Sequence, residues 1–211
     1  DEHRIGLIIL TGDDNLYAIA CPDVQYYFPG WGLIAHIRTA GAVVLWDPDH
    51  WRVEAVRNIH IFTEERPHHD VITFNLRCFV TCSNSDREYE GDHVLVMVTS
   101  FRSEADEVSG GDPDENKMER SLEVMMKTAE RTSPGKWLLA GRVERFSPWS
   151  MKKILQRGAP HRDPIRLFNC DYDRDYDLGC IASGVQLASL QPEPDEARFV
   201  VEMQMAGHAP R

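Results

Sequence analysis

Residues 70–82 read D-V-I-T-F-N-L-R-C-F-V-T-C, and this stretch decides the fold class. Apolar and polar side chains alternate along it. The apolar parity holds six residues, namely Ile72, Phe74, Leu76, Cys78, Val80 and Cys82. Alternation with a period of two is typical of a β-strand that buries one face. The stretch therefore predicts a strand over 71–82 whose even-numbered positions face a core.

Two positions on that predicted buried face are cysteines. Four residues of extended strand span about 13 Å, whereas a disulfide requires Cα atoms within about 7 Å. Cys78 and Cys82 therefore cannot pair with each other, so each is a free core thiol or is bridged elsewhere. The other three cysteines, Cys21, Cys170 and Cys180, are the candidate partners. Five cysteines leave at least one unpaired in a monomer, and that thiol would be available to link two copies as a homodimer.

Strand-like runs dominate the rest of the chain. They cover 4–10, 16–21, 32–39, 42–46, 51–62, 93–101, 136–145, 165–170, 185–190 and 198–205. Many short strands with two inserted helices are typical of a β-sandwich. We therefore expect a mainly β fold, a two-sheet β-sandwich with two short helices, in a single domain over 1–211.

The two predicted helices carry start signals. The first opens with D-P-D-E at 112–115 and continues with apolar residues at helical spacing from Met118 to Ala129. The second opens at Ser147-Pro148, and its spacing predicts that Trp149, Ile154 and Leu155 face the core. Six acids and a Gly-Gly pair between 103 and 116 predict a mobile acidic loop before the first helix.

The charge is strongly acidic, with 34 acidic against 23 basic side chains and a net charge of −11. Such a surface repels phosphate backbones and attracts basic proteins, which argues against a nucleic-acid partner. The alternative is that the charge only keeps the protein in solution. No apolar run approaches the length of a membrane span, so no membrane association is expected.

Surface recognition is the function that the residues favour most, because acids mixed with tyrosines suit a basic protein ligand. The candidate ligand-binding residues form two patches. They are Glu104, Asp106, Glu107, Asp112, Asp114 and Glu115 in the first, and Asp171, Tyr172, Asp173, Asp175, Tyr176 and Asp177 in the second. Both patches have the alternative interpretation of solvated loops.

Metal and catalytic motifs are weak. Counting from Asp171, the sixth and twelfth positions are Tyr176 and Ala182, so the EF-hand pattern of Gly and Glu fails. His60, His68, His69 and Asp70 could bind a metal, although adjacent histidines on a strand point to opposite faces. No hydrolase, P-loop or dinucleotide motif is present. We therefore expect no enzyme, no cofactor and no metal.

Four segments resemble one family. The order R-I-G-L-I-I-L, A-I-A-C-P, Y-Y-F-P-G-W-G-L-I-A-H-I and D-V-I-T-F-N-L-R-C is similar to the secreted poxvirus immune-evasion domains, the viral chemokine-binding and parapoxvirus cytokine-inhibitor type. The resemblance implies a secreted viral immunomodulator that sequesters a host cytokine or chemokine by occlusion. Two alternatives stay open: an intracellular interaction domain with reduced thiols, and a metal-dependent hydrolase using His68, His69 and the acids between Asp171 and Asp177.

Overall fold

A computed structural model describes ten parts of the chain. They are residues 6–11, 26–36, 41–61, 69–81, 88–100, 115–144, 146–161, 164–169, 176–190 and 200–204. The predicted acidic loop lies outside them up to residue 114, and so do Cys21, Cys82 and Cys170. The first acidic patch is therefore represented only by Glu115, and the second only by Tyr176 and Asp177.

Eleven strands and two helices are formed by these residues. In chain order they are β1 (Leu7–Thr11), β2 (Gly32–His36), β3 (Ala42–Trp46), β4 (Trp51–Ile61), β5 (His69–Thr81), β6 (Glu88–Ser100), α1 (Glu115–Thr132), β7 (Trp137–Glu144), α2 (Pro148–Gly158), β8 (Ile165–Asn169), β9 (Tyr176–Ser183), β10 (Gln186–Leu190) and β11 (Val200–Gln204). The predicted mainly β class with two helices is confirmed.

The strands pair in three sheets. The largest has six strands in the order β4-β5-β6-β7-β9-β8, a second has three in the order β1-β3-β2, and β10 pairs with β11. All pairs are antiparallel except β6 with β7. The exception follows from α1, because a parallel pair needs a long crossover and this helix supplies it.

Both faces of the six-stranded sheet are buried. Its even-numbered positions, such as Phe74 and Val96, form one apolar cluster with Ile34 and Val44 of the three-stranded sheet. On the opposite face, Met97 and Trp137 pack against α1 and α2. The Trp137 indole Nε1 also donates to Glu130 Oε2 of α1 at 2.7 Å. Each fully buried large side chain of this kind contributes about 1.5–3 kcal/mol.

Strand β5 differs from its prediction in one respect. Ile72, Phe74 and Leu76 are buried as expected, but Val71 and Thr73 on the other parity are buried too. The polar–apolar alternation predicted one wet face, and this was wrong because α1 and α2 cover that face over the middle of β5. A second difference concerns residues 176–183, which form β9 although the acids before them favoured a turn.

The helices begin close to their predicted signals. Ser147 caps α2, its hydroxyl accepting from the Ser150 amide at 3.1 Å, and Pro148 is the first helical residue. Ile154 is buried as predicted. Trp149 is not: its side chain is 71% exposed, so its predicted place in the core is wrong. No helix within the described residues is both long and apolar enough to cross a membrane.

Cys180 is a free thiol buried in the cluster between the two larger sheets, which corrects its assignment as a disulfide candidate. Cys78 lies in β5 at the register position opposite Trp51. Burial raises the pKa of the Cys180 thiol from its ordinary value of 9.0 to about 12. The protonated thiol is therefore the form that the folded protein favours.

This raised pKa predicts a specific loss of stability in alkali. The contribution of Cys180 to the free energy of unfolding is complete below pH 9, the pKa of the thiol in the unfolded chain. This contribution is lost as the pH rises toward about 12, the pKa of the thiol in the folded protein. Between those limits, the free energy of unfolding should fall by about 1.4 kcal/mol per pH unit because of this group. Urea unfolding of the wild type and Cys180→Ala at several pH values measures the difference. Equal pH slopes for the two proteins would show that the thiol titrates normally.

Candidate functional site

The six-stranded sheet ends in a row of polar residues. At this end β4, β6, β7 and β8 finish, and β5 and β9 begin. The strand register pairs His60 with Asp70, Ser100 with Arg142, and both Arg142 and Asn169 with Leu178. The antiparallel register of Ile72 with Val98, continued by two residues, brings Asp70 opposite Ser100. We call His60, Asp70, Ser100, Arg142 and Asn169 the polar row.

The polar row directly follows an apolar one. Two residues further into the sheet, the corresponding positions on β5, β6, β7 and β9 hold Ile72, Val98, Ala140 and Cys180, all within the cluster between the two larger sheets. On the edge strand β4 this position holds the polar Asn58. Arg142, the member of the row whose side chain the structure describes, has the parity of Leu138 and Ala140 in that cluster, and the register gives the other four positions the corresponding parity on their strands. The change from apolar to polar marks the rim of the core, where the three-stranded sheet faces the end of the larger one.

The spacing of the row suits a small anionic ligand. Neighbouring strands lie about 4.8 Å apart, so Asp70 and Arg142, two strands apart, are separated by about 10 Å. Arg142 is half-buried near the centre of the row. A guanidinium in that setting binds phosphate or carboxylate oxygens through paired N–H groups. Glu144 lies two residues further along β7, opposite Tyr176.

The first strand of the three-stranded sheet ends toward the same rim. The turn between β3 and β4 brings the carboxyl end of β3 beside the amino end of β4, and β1 is antiparallel to β3. The carboxyl end of β1 at Thr11 therefore lies toward the end of the molecule that carries the polar row. Gly12, Asp13 and Asp14, which follow it, are outside the described residues.

The donor types of the row fit a hard divalent cation. Mg²⁺ is usually held by one or two carboxylates and takes its other ligands from water and substrate phosphate. Asp70 provides one carboxylate position, with His60 as its register neighbour. Within the described parts of the chain, no three His, Cys, Asp or Glu residues come close enough to form a complete metal cage.

The sequence-based candidates are distributed as follows. His60 and Asp70 of the suggested metal cluster are register neighbours, His69 lies opposite Ile61 on the other parity, and His68 is outside the described residues. Tyr176 and Asp177 begin β9 at the same end of the sheet, two and one residues before Leu178. The proposed role of the two acidic patches in ligand binding stays a prediction.

Ser100, Arg142 and Asn169 were missed from the sequence. Each is a polar residue at the end of a series of alternate positions that is otherwise apolar. Ser100 follows Val96 and Val98, Arg142 follows Leu138 and Ala140, and Asn169 follows Ile165 and Leu167. That break in the pattern was a usable signal, but only the sheet order brings the three residues together.

Charged pairs elsewhere have structural roles. Glu54 accepts from Arg52 Nε at 2.9 Å and from Arg77 Nε at 3.0 Å, which joins β4 to β5. Asp47 accepts from the Asp49 amide at 3.0 Å and contacts His50 Nδ1 at 2.9 Å, which closes the β3–β4 turn. Neither group faces the polar row, because both lie toward the opposite end of the sheet.

Comparison with known proteins identifies the fold. No family model matches the chain, and no curated protein matches it by sequence. Among solved structures, the human Nocturnin catalytic domain with a bound sulfate anion is similar over 93% of this chain and 73% of its own, with a TM-score of 0.54 and 9% identity. Staphylococcus aureus beta toxin with bound magnesium ions is similar over 94% and 82%, with a TM-score of 0.50 and 11% identity. A Bacteroides thetaiotaomicron endonuclease/exonuclease/phosphatase family protein follows, over 85% and 73%, at a TM-score of 0.47 and 10% identity.

These similarities correct the poxvirus resemblance. The fold is similar to those of the Nocturnin catalytic domain and of beta toxin, and the resemblance to the poxvirus immune-evasion domains is wrong. The inferred cytokine or chemokine sequestration and immune evasion are wrong with it, since nothing else supported a cytokine partner. The exclusions of an enzyme and of nucleic acid are also overturned, because they rested on missing motifs and on net charge. Secretion stays a prediction.

Proposed function

We propose that this domain is a metal-dependent hydrolase of phosphate esters and that the polar row is its site. The observation that carries the proposal is the position of the row, at the rim between two sheets, in a fold shared with a catalytic domain. The sulfate of that domain is a tetrahedral anion with the shape of a phosphate group. The magnesium ions of the second similar structure support the choice of a divalent cation.

The residues in the two halves of the polar row have different roles in this proposal. Arg142 binds the phosphate and stabilises the negative charge that develops as the ester bond breaks. Asp70 lies two strands from Arg142, and His60 lies three strands from it. In these positions each residue accepts a proton from the attacking water or serves as a ligand of the cation. A divalent cation bound there would add Lewis-acid polarisation of the phosphoryl group.

We also propose that the layers form one domain. The six-stranded sheet contributes to both apolar clusters, so the helices, this sheet and the three-stranded sheet share a continuous packed interior. The finer arrangement is then an α/β sandwich in which the helix layer lies on one side of the larger sheet.

A chelation assay tests the proposed activity. The purified chain should release nitrophenolate from bis-p-nitrophenyl phosphate in the presence of Mg²⁺ or Mn²⁺, lose this activity in EDTA, and regain it when the cation is restored. Asp70→Asn should lower kcat/KM by about 100-fold or more, as expected for a lost acid–base or ligand group. Asp49→Asn, an exposed aspartate in the β3–β4 turn, is the matched control and should retain full activity. Activity that resists EDTA would refute the metal requirement, and no hydrolysis of any phosphate ester would refute the hydrolase.

A further inference from the structure

The outer face of α2 combines an exposed aromatic ring with basic side chains. Trp149 is 71% exposed, while Met151 and Ile154 of the same helix are buried. Lys152, Gln156 and Arg157 are exposed as well. We call Trp149, Lys152, Lys153, Gln156 and Arg157 the basic face.

Its charge is opposite to that of the whole protein. The chain as a whole carries −11, yet residues 142–166 include seven Lys and Arg and only two acids. α2 itself, P-W-S-M-K-K-I-L-Q-R-G, has no acid. The net charge of the whole chain does not show this local concentration of basic side chains. Such a concentration is expected of a surface that binds phosphates.

The tryptophan ring is held in place. Lys153 Nζ lies 5.1 Å from the centre of the Trp149 ring, within cation–π range. The same ammonium donates to Glu119 Oε2 of α1 at 3.1 Å, and Glu119 is only 7% exposed. A buried carboxylate thus positions the lysine, and the lysine contacts one side of the ring while most of the ring stays accessible to a ligand.

The basic face is separate from the polar row. α2 packs through Met151 and Ile154 on one face of the six-stranded sheet, whereas the polar row continues the positions whose apolar residues meet the three-stranded sheet on the other face. Trp149 and Arg157 are eight residues apart, about 12 Å along the helix axis. A ligand that spans the basic face from Trp149 to Arg157 therefore needs only a few repeating units.

We propose that the basic face binds single-stranded nucleic acid, with a base stacked on Trp149 and phosphates on Lys152 and Arg157. This inference goes beyond the proposed function and does not depend on it. Stacked aromatic rings and basic grooves are the common elements of single-strand binding. A membrane surface is disfavoured, because an interfacial helix exposes an apolar face and here only one large apolar residue is exposed.

Fluorescence anisotropy of a labelled single-stranded oligonucleotide in EDTA tests binding without hydrolysis. Trp149→Ala should weaken the Kd by about tenfold, the loss of one stacked base. Lys152→Ala should reduce the salt dependence of binding by about one ion. Two control variants should leave the Kd and the salt dependence of binding unchanged. Tyr26→Ala removes an aromatic residue that is 79% exposed elsewhere, and Arg131→Ala removes an exposed cation at the end of α1.

The outcomes separate the two proposals. Unchanged binding by Trp149→Ala would overturn the inference even if the wild type hydrolyses phosphate esters. Binding to phosphatidylserine vesicles that depends on Trp149, with no binding to the oligonucleotide, would overturn it in favour of a membrane. Trp149-dependent oligonucleotide binding by a protein without hydrolase activity would support the inference and refute the proposed function.

Discussion

Replacement of Arg142 by alanine should lower kcat/KM for a phosphodiester by about 100- to 1000-fold. This is the usual loss when one preorganised donor to a developing anionic charge is removed. Arg142 is half-buried at the centre of the polar row, with Ser100 and Leu178 as its register neighbours. Steady-state hydrolysis of bis-p-nitrophenyl phosphate in Mg²⁺ measures the effect.

Two further variants make this result specific. Arg142→Lys keeps the charge but loses the paired N–H geometry, so its activity should fall between those of the wild type and the alanine variant. Arg131→Ala removes an exposed arginine at the end of α1 and should have no effect. Full activity of a folded Arg142→Ala protein would remove Arg142 from the site.

Replacement of Gly184 by alanine should lower the free energy of unfolding by about 3 kcal/mol or more. Gly184 has φ of +66°, a region that costs an L-residue about 1–2 kcal/mol. A Cβ at this position would also overlap the Gly135 carbonyl in the turn before β7. The Gly184 backbone and the Gly135 carbonyl both belong to tight turns and cannot easily move apart. The overlap therefore adds an overpacking cost of about 1–3 kcal/mol. Urea unfolding measures the difference.

Gly30→Ala is the matched control for this effect. Gly30 has φ of +85°, but a Cβ there would meet no atom within 4 Å. Only the conformational cost applies, so the loss should be about 1 kcal/mol. Equal losses for the two variants would mean that the contact with Gly135 does not limit the space at Gly184.

Much of the local structure was predictable from residue patterns. The strand 42–46 and the start of α2 agree with the sequence because β-branched and aromatic runs, a Ser-Pro start and a terminal glycine act over a few residues. β9 was missed because the acids between Asp171 and Asp177 obscured the apolar residues Leu178, Cys180 and Ala182 that follow. The acidic residues there favoured a turn, whereas the alternation of apolar residues favoured a strand. The strand forms because it buries those apolar residues.

The site was less predictable, for a physical reason. His60 and Asp70 were recognised as chemically suited, since polar residues at strand ends are visible in a sequence. Their connection to Ser100 and Arg142 depends on the order of strands in the six-stranded sheet, which arises from contacts far apart in the chain. The order of four short segments resembled the wrong family for the same reason, because short β-rich segments fit many β topologies.

Net charge also gave an incomplete indication. A value of −11 argues against a nucleic-acid partner, yet the residues between Arg142 and Arg166 are strongly basic. Electrostatic interaction with a ligand depends on charges within about 10 Å of the site at ordinary ionic strength. The local distribution therefore carries more information than the total.

Paramagnetic NMR with Mn²⁺ tests the central claim, that the polar row holds a divalent cation for phosphate ester hydrolysis, most directly. Stoichiometric Mn²⁺ should broaden the amide signals of Asp70, Ser100 and Arg142, which lie on adjacent strands, and EDTA should restore them. Signals near Glu54 and Asp47, at the opposite end of the sheet, should stay sharp. Broadening confined to that opposite end, or none with Mn²⁺ in excess, would contradict the assignment of the polar row.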